Sequence, residues 1–201
     1  LAKDWDQGVE TVRSDAFSDW IVRGLAESKK LQDLRAAEKA FALRRGETAS
    51  PDVNLARTLI LLDPEGPIRL RQFSAQPDGI AAALVEAMPS QELARDALQV
   101  MQGDLLDFWL SQQSGPPDLE TSEILNRLPR VAAYSRRQGL GYGIERCAYE
   151  LAPGLACQSP LLGGRLAQSV PELLLALEAR AGGEGELFDQ HIAAFLATRL
   201  G

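Results

Sequence analysis

Apolar residues recur along this chain at spacings of three and four, which gather them on one face of a helix. The residues between such stretches mark where each helix starts and stops. Phe17, Trp20, Ile21, Gly24 and Leu25 fall at i, i+3, i+4, i+7 and i+8 behind Ser14 and Asp15, whose side-chain oxygens suit the open N–H groups of a first turn. Leu31, Leu34, Phe41 and Ala42 predict a second helix from about Lys30 to Arg45, with Gly46 as its stop. Ser50 followed by Pro51 predicts a third start, because proline's missing N–H costs nothing at the first helical position. Val53, Leu55, Ala56, Leu59 and Leu62 form its apolar face. Asp63-Pro64 ends it, since a proline disfavours helical backbone in the residue before it.

Between Pro64 and Pro77 the period shortens. Ile68, Leu70 and Gln72 alternate with Arg69, Arg71 and Phe73, which predicts a short extended segment with the two arginines projecting from one side. Helical spacing returns from Asp78 to Met88 through Ile80, Leu84 and Val85. It restarts behind Ser90 with Leu93, Ala97, Leu98 and Met101, and stops at Gly103.

The pattern then begins again. Asp104, Leu106, Trp109 and Leu110 reproduce Asp15, Phe17, Trp20 and Ile21 at a displacement of 89 residues. The same displacement carries Leu55 onto Ile144, Arg57 onto Arg146, Leu62 onto Leu151 and Pro64 onto Pro153. After Pro153, Gly163-Gly164 suits a hairpin turn, and Ser169-Val170-Pro171-Glu172 introduces a helix carrying Leu173, Leu174 and Leu177. Phe188, His191, Ile192, Phe195 and Leu196 then occupy the five positions of the first helix once more. The expected fold is mainly α, built from tandem helical repeat units of about 89 residues, each with a short β-hairpin or extended element. Residues 1–103 form the first unit and 104–183 the second, while 184–201 open a third unit or supply a capping helix. Identities between the copies are few, so an ordinary non-repeating helical domain with coincident caps and prolines is the alternative. Trp20 and Trp109 are read as packing anchors in either case.

Composition narrows the function classes. Of 201 residues 45% are hydrophobic and 24% charged, enough apolar material for a buried core without disulfide staples. The formal net charge of −7 speaks against a nucleic-acid partner, because phosphate binding draws on Lys and Arg displacing counterions. Apolar runs such as Leu59 to Leu62 and Leu173 to Leu177 are too short to cross a bilayer. No basic stretch followed by an apolar core marks a secretory signal. The expectation is a cytoplasmic protein without membrane partner, and the opening Leu1 suggests a piece of a longer or processed polypeptide. Richness in Ala, Leu and Arg points to a bacterial source.

Candidate chemistry is sparse. His191, the single histidine, has the residue type for proton transfer but sits where the stripe otherwise carries Trp20 and Trp109. Gly139-Leu140-Gly141-Tyr142-Gly143 leads into a helix, yet lacks the preceding strand and the Gly-Lys-Ser/Thr ending of phosphate-binding loops, so it reads as a turn. Cys147 belongs to an inward helix face with Ile144 and Leu151. Cys157 falls in a turn-rich stretch where a thiol is accessible but has no cation beside it to activate it. Acidic residues such as Asp4, Asp6, Glu10, Asp15 and Asp19 lack calcium-loop spacing. No catalytic, cofactor-binding or metal-ligating residues are therefore assigned. Arg69, Arg71, Arg136 and Arg137 are the candidate partner-binding residues, although helix-end arginines such as Arg44-Arg45 and Arg136-Arg137 also complement helix dipoles. The expected function is a non-catalytic protein-interaction or scaffold module with a protein partner. The alternative is a regulatory or sensor domain of a multidomain enzyme whose catalytic part lies outside this sequence.

Overall fold

The structure, a computed structural model, describes residues 4–24, 50–76, 78–113, 119–182 and 186–201. Among the described residues the chain is mainly helical, with ten α-helices and one antiparallel two-stranded hairpin. The helix expected from Lys30 to Arg45 lies outside them, as do Arg44-Arg45 and residues 183–185 of the glycine-rich stretch that follows Arg180.

By chain contacts the molecule divides into two units, Leu1–Ser74 with Leu105–Ser114, and Ala75–Asp104 with Gly115–Gly201. In the first, α1 (Trp5–Arg13) starts at Asp4, whose carboxylate accepts the Gln7 N–H at 3.0 Å. Nothing in the periodicity reading placed a helix here. Its signal is short: a capping aspartate, then Trp5, Val9 and Val12 at i, i+4 and i+7, all half-buried. Helix α2 (Asp15–Gly24) follows at the expected start, with the Ser14 hydroxyl accepting from the Phe17 N–H at 3.3 Å. Phe17 is buried against Val12 and Leu62.

Helix α3 (Pro51–Leu62) is capped by Ser50 and closed by the Asp63 N–H on the Leu59 carbonyl. Leu55, Ala56 and Ile60 are its most deeply buried side chains, and it packs against α1, the first hairpin strand and α6 (Leu105–Gln112). The hairpin consists of β1 (Ile68–Leu70) and β2 (Phe73–Ala75). The alternation placed Phe73 with the arginines, opposite Ile68 and Leu70. Instead Arg71 and Gln72 form a turn that restarts the alternation, so Ile68, Leu70, Phe73 and Ala75 are all buried. Arg71 takes a left-handed φ of 51° to make that turn. Trp109 on α6 is fully buried and donates its indole N–H to the Gly66 carbonyl at 3.3 Å. Trp20 lies in α2, but its side chain is outside the described part of the structure.

The second unit is arranged around α8 (Ile144–Leu151), which packs against α4 (Ile80–Ala87), α5 (Gln91–Gln102), α7 (Leu119–Ser135) and α10 (Gln190–Leu200). Contact on several sides explains why seven consecutive-face positions, Ile144 and Arg146 through Leu151, are buried. Ile144, Cys147 and Leu151 face inward as read from the sequence. The two charged residues in that buried set satisfy each other: Arg146 and Glu150 form an ion pair at 2.8 Å. Tyr149, Leu162, Leu173, Ile192 and Phe195 form a core cluster, completed by Cys157, Ala167 and Ala194. Where Gly163-Gly164 suggested a second hairpin, the structure has a 3-10 turn, Pro160–Leu162, and no strand among the described residues of that stretch. Pro160 cannot donate to a ladder, and the Ser159 hydroxyl caps the turn through the Leu161 N–H. The two arms are still joined, by the Cys157 N–H on the Ala167 carbonyl at 2.8 Å. Helix α9 (Val170–Glu178) begins at Ser169, and α10 at Asp189, so Phe188 precedes the last helix rather than lying on its face.

Candidate functional site

Arg69 and Arg71 do not share a strand. Arg69 is half-buried in β1, whereas Arg71 sits in the turn with its guanidinium 2.7 Å from the Asp52 carboxylate. The same carboxylate accepts the Trp5 indole N–H at 2.7 Å and the Ser50 hydroxyl at 3.3 Å. Burial alone raises a carboxyl pKa, but the Trp5, Arg71 and Ser50 contacts outweigh it and hold Asp52 below the usual carboxylate value. Arg71 thereby ties the hairpin turn to the N-terminus of α3, where a negative charge is also favoured by the helix dipole.

Arg136 and Arg137 belong to the second unit and follow the last turn of α7. Arg136 Nε donates to the Gln102 carbonyl at 3.1 Å, and Gln102 Nε2 donates to the Ser135 carbonyl at 2.6 Å. The C-terminal ends of α5 and α7 are thus tied reciprocally, and Arg136 satisfies a carbonyl of α5 that has no partner within its own helix. Arg137 lies over the Tyr142 ring, 5.6 Å from its centroid. Beside Gln102 is an open depression of about 460 Å³ lined by Arg95, Leu98, Gln99, Gln102 and Gly103. Arg95 was not singled out from sequence. It is one exposed residue in the middle of a helix, and only the geometry of the helix end gives it neighbours.

A second surface feature is apolar. On α9, Leu173 is fully buried, while Leu174 and Leu175 are 57% and 65% exposed. Successive residues on a helix point about 100° apart, so three consecutive leucines cannot all face one core. Leu166, before α9, and Phe188, before α10, are exposed as well.

The remaining candidates lie in the second unit. His191 is half-buried with Nδ1 3.4 Å from the Tyr149 hydroxyl, which accepts the Gln158 N–H at 2.8 Å. Ser159 donates to Asp189 at 2.6 Å, and Asp189 caps α10 through the Ile192 N–H. Sequence offered no signal for this cluster, which joins residues 149–159 to residues 189–192. Cys157 is not accessible: it is 3% exposed, and burial raises its pKa. Burial also pushes Tyr149 upward and lifts Cys147 to about 12. In the glycine-rich loop, Gly139, Gly141 and Gly143 all have positive φ. Three N–H groups there have acceptors within the protein: Gly141 donates to Gln190 Oε1, Tyr142 to the Gly139 carbonyl and Gly143 to the Tyr134 carbonyl. The loop is folded onto α10, with Gln190 also donating to the Tyr142 carbonyl. Among the described residues no three His, Cys, Asp or Glu side chains are grouped to hold a metal, and no helix is long and apolar enough to cross a membrane.

Comparison with family models, with curated proteins and with solved structures gives no match.

Proposed function

We propose that this chain is a non-catalytic module that binds a partner protein, acting in the cytoplasm as part of a larger bacterial polypeptide. The observation that carries the reading is the exposed leucine pair Leu174-Leu175 on α9, with Leu166 exposed shortly before it. Single exposed apolar residues are ordinary, but large ones concentrated on one short stretch are the mark of a contact surface. Affinity purification with the full chain as bait tests this against a Leu174→Glu/Leu175→Glu chain of unchanged circular dichroism. A partner retained by the first and lost from the second is the expected result. Equal retention by both, or no specific retention by either, sinks the reading.

We also propose that residues 1–103 and 104–183 descend from a repeat of about 89 residues, as the register of caps and prolines suggests. Arg57 and Arg146, which that displacement matches, are both buried, although the rings they lie over, Phe108 at 5.8 Å and Tyr134 at 4.8 Å, are not at matched positions.

A further inference from the structure

We propose that the outer face of α7 and the loop after it receive a short acidic segment of a partner protein, its carboxylates on Arg127, Arg130 and Arg137 and an apolar side chain against Leu140. This rests on the reading of the chain as an interaction module, though not on the leucine pair of α9. The stretch between Glu123 and Glu145 holds four arginines and no acidic residue, in a chain whose net charge is −7. Leu128, Val131, Ala132 and Ser135 take the buried side of the helix. Arg127 and Arg130, at i and i+3, share the side left exposed. The Arg137 N–H on the Tyr134 carbonyl carries the winding past Ser135 to a third exposed arginine. Among the described residues none of the three forms an ion pair.

Helix-dipole complementarity fades within the last turn, so it accounts for Arg137 but not for Arg127 or Arg130. Two of the three are held by neutral partners: Arg127 donates to the Glu150 carbonyl, and Arg137 lies over the Tyr142 ring at 5.6 Å. Neither partner neutralises the charge, while both restrict the side chain, so a carboxylate meets planar guanidinium groups already in place. Leu140 is 65% exposed on a loop pinned by the Gly141 N–H on Gln190 Oε1 and the Gly143 N–H on the Tyr134 carbonyl. A fixed leucine beside fixed cations complements an apolar residue next to acids. The helical rise from Arg127 to Arg137 is about 15 Å, which about five extended residues span. At about 0.15 M salt charges are screened beyond about 8 Å, so a segment of that length senses these arginines rather than the chain's excess of acids. A longer polyanion reaches Glu123 and Glu145 at the ends of the stretch. The tyrosine rings there, which in a nucleic-acid site would stack bases, are already faced by arginines, Tyr134 by Arg146 and Tyr142 by Arg137.

Fluorescence anisotropy on the full chain, with a labelled peptide of about five Asp and Glu residues and a terminal Leu, tests the proposal at about 0.15 M salt. Saturable binding is expected, weakened about tenfold by Arg130→Glu and about threefold by Leu140→Ser, and falling as salt is raised. Arg165→Glu, the same charge change on the exposed loop before α9, leaves binding nearly intact. Arg130 is the deciding position: among the described residues it makes no hydrogen bond or ion pair, so its replacement spares the fold, which circular dichroism checks. No saturable binding, an unaffected Arg130→Glu or Leu140→Ser chain, or an equal loss in Arg165→Glu overturns the proposal. So does tighter binding of a uridine oligonucleotide or of vesicles rich in phosphatidylserine. If the peptide fails while the Leu174→Glu/Leu175→Glu chain still loses its captured partner, only the acidic-segment inference falls.

Discussion

Arg146 and Glu150 form a buried ion pair whose two charges depend on each other. Both are buried, one turn apart on α8, with N–O distances of 2.8 to 2.9 Å. Around them, the Tyr134 ring stacks on Arg146, and Arg127 donates to the Glu150 carbonyl. Taking two charges out of water costs several kcal/mol each, which their attraction and hydrogen bonds offset only while both are present. Arg146→Ala leaves a buried carboxylate without its counter-ion and is expected to cost about 3 kcal/mol in urea unfolding. Replacing both, as Arg146→Met/Glu150→Leu, removes the uncompensated charge and is expected to cost clearly less than the single change. A double variant as unstable as Arg146→Ala contradicts this account. The pair also shows a limit of sequence reading. Its i,i+4 spacing is visible in the chain and ordinarily describes a solvated helix surface, but the burial that gives it consequence comes from four other helices closing on α8.

At the scale of elements, what was legible follows from how local each signal is. Ser50, Ser90 and Ser169 each cap the helix they were expected to open, accepting N–H groups two or three residues on, because capping involves only neighbours in the chain. Phase across a turn is less local. Alternation from Ile68 to Phe73 reads as one strand, and only the turn at Arg71-Gln72 shows that the inward set restarts at Phe73. Burial of Cys157 depends on contacts with Tyr149 and α10, invisible in its turn-rich surroundings. In the candidate site, Arg136 was legible as a helix-end arginine, but Arg95 was not. The glycine-rich loop was correctly read as a turn, and the structure supplies its reason. At Gly141 a Cβ would lie 3.3 Å from the Ala193 carbonyl oxygen, and the backbone has φ of 82°. Gly141→Ala therefore combines left-handed strain with crowding against α10, and is expected to cost about 1 to 3 kcal/mol. Gly139→Ala, with a φ of 115° but open space around it, carries the strain without the crowding and is expected to cost less. Thermal unfolding followed by circular dichroism compares the two; equal losses would show that contact with α10 is not what Gly141 provides.

At alkaline pH, stability depends on buried groups of the second unit. Cys147, Tyr149 and Cys157 all lie there, and burial raises the pKa of each. Cys147 is the clearest case: fully buried, donating its thiol to the Val131 carbonyl, and lifted to about 12 from an ordinary thiol value of 9.0. Well below pH 9.0 the thiol is protonated whether the chain is folded or not, so stability is undiminished there. Between that value and about 12 the unfolded chain releases the proton while the folded chain retains it. The unfolded state gains about 1.4 kcal/mol for each pH unit across that window from this thiol alone. Tyr149 and Cys157 act in the same direction, because each also ionises more readily once exposed. Urea unfolding is therefore expected to show less stability at about pH 10.5 than at about pH 8. Cys147→Val keeps an apolar side chain of similar size at the site and is expected to lose less over the same interval. If Cys147→Val declines as steeply as the unaltered chain, the alkaline loss belongs to Tyr149 and Cys157, and Cys147 is not held protonated by the packing around α8.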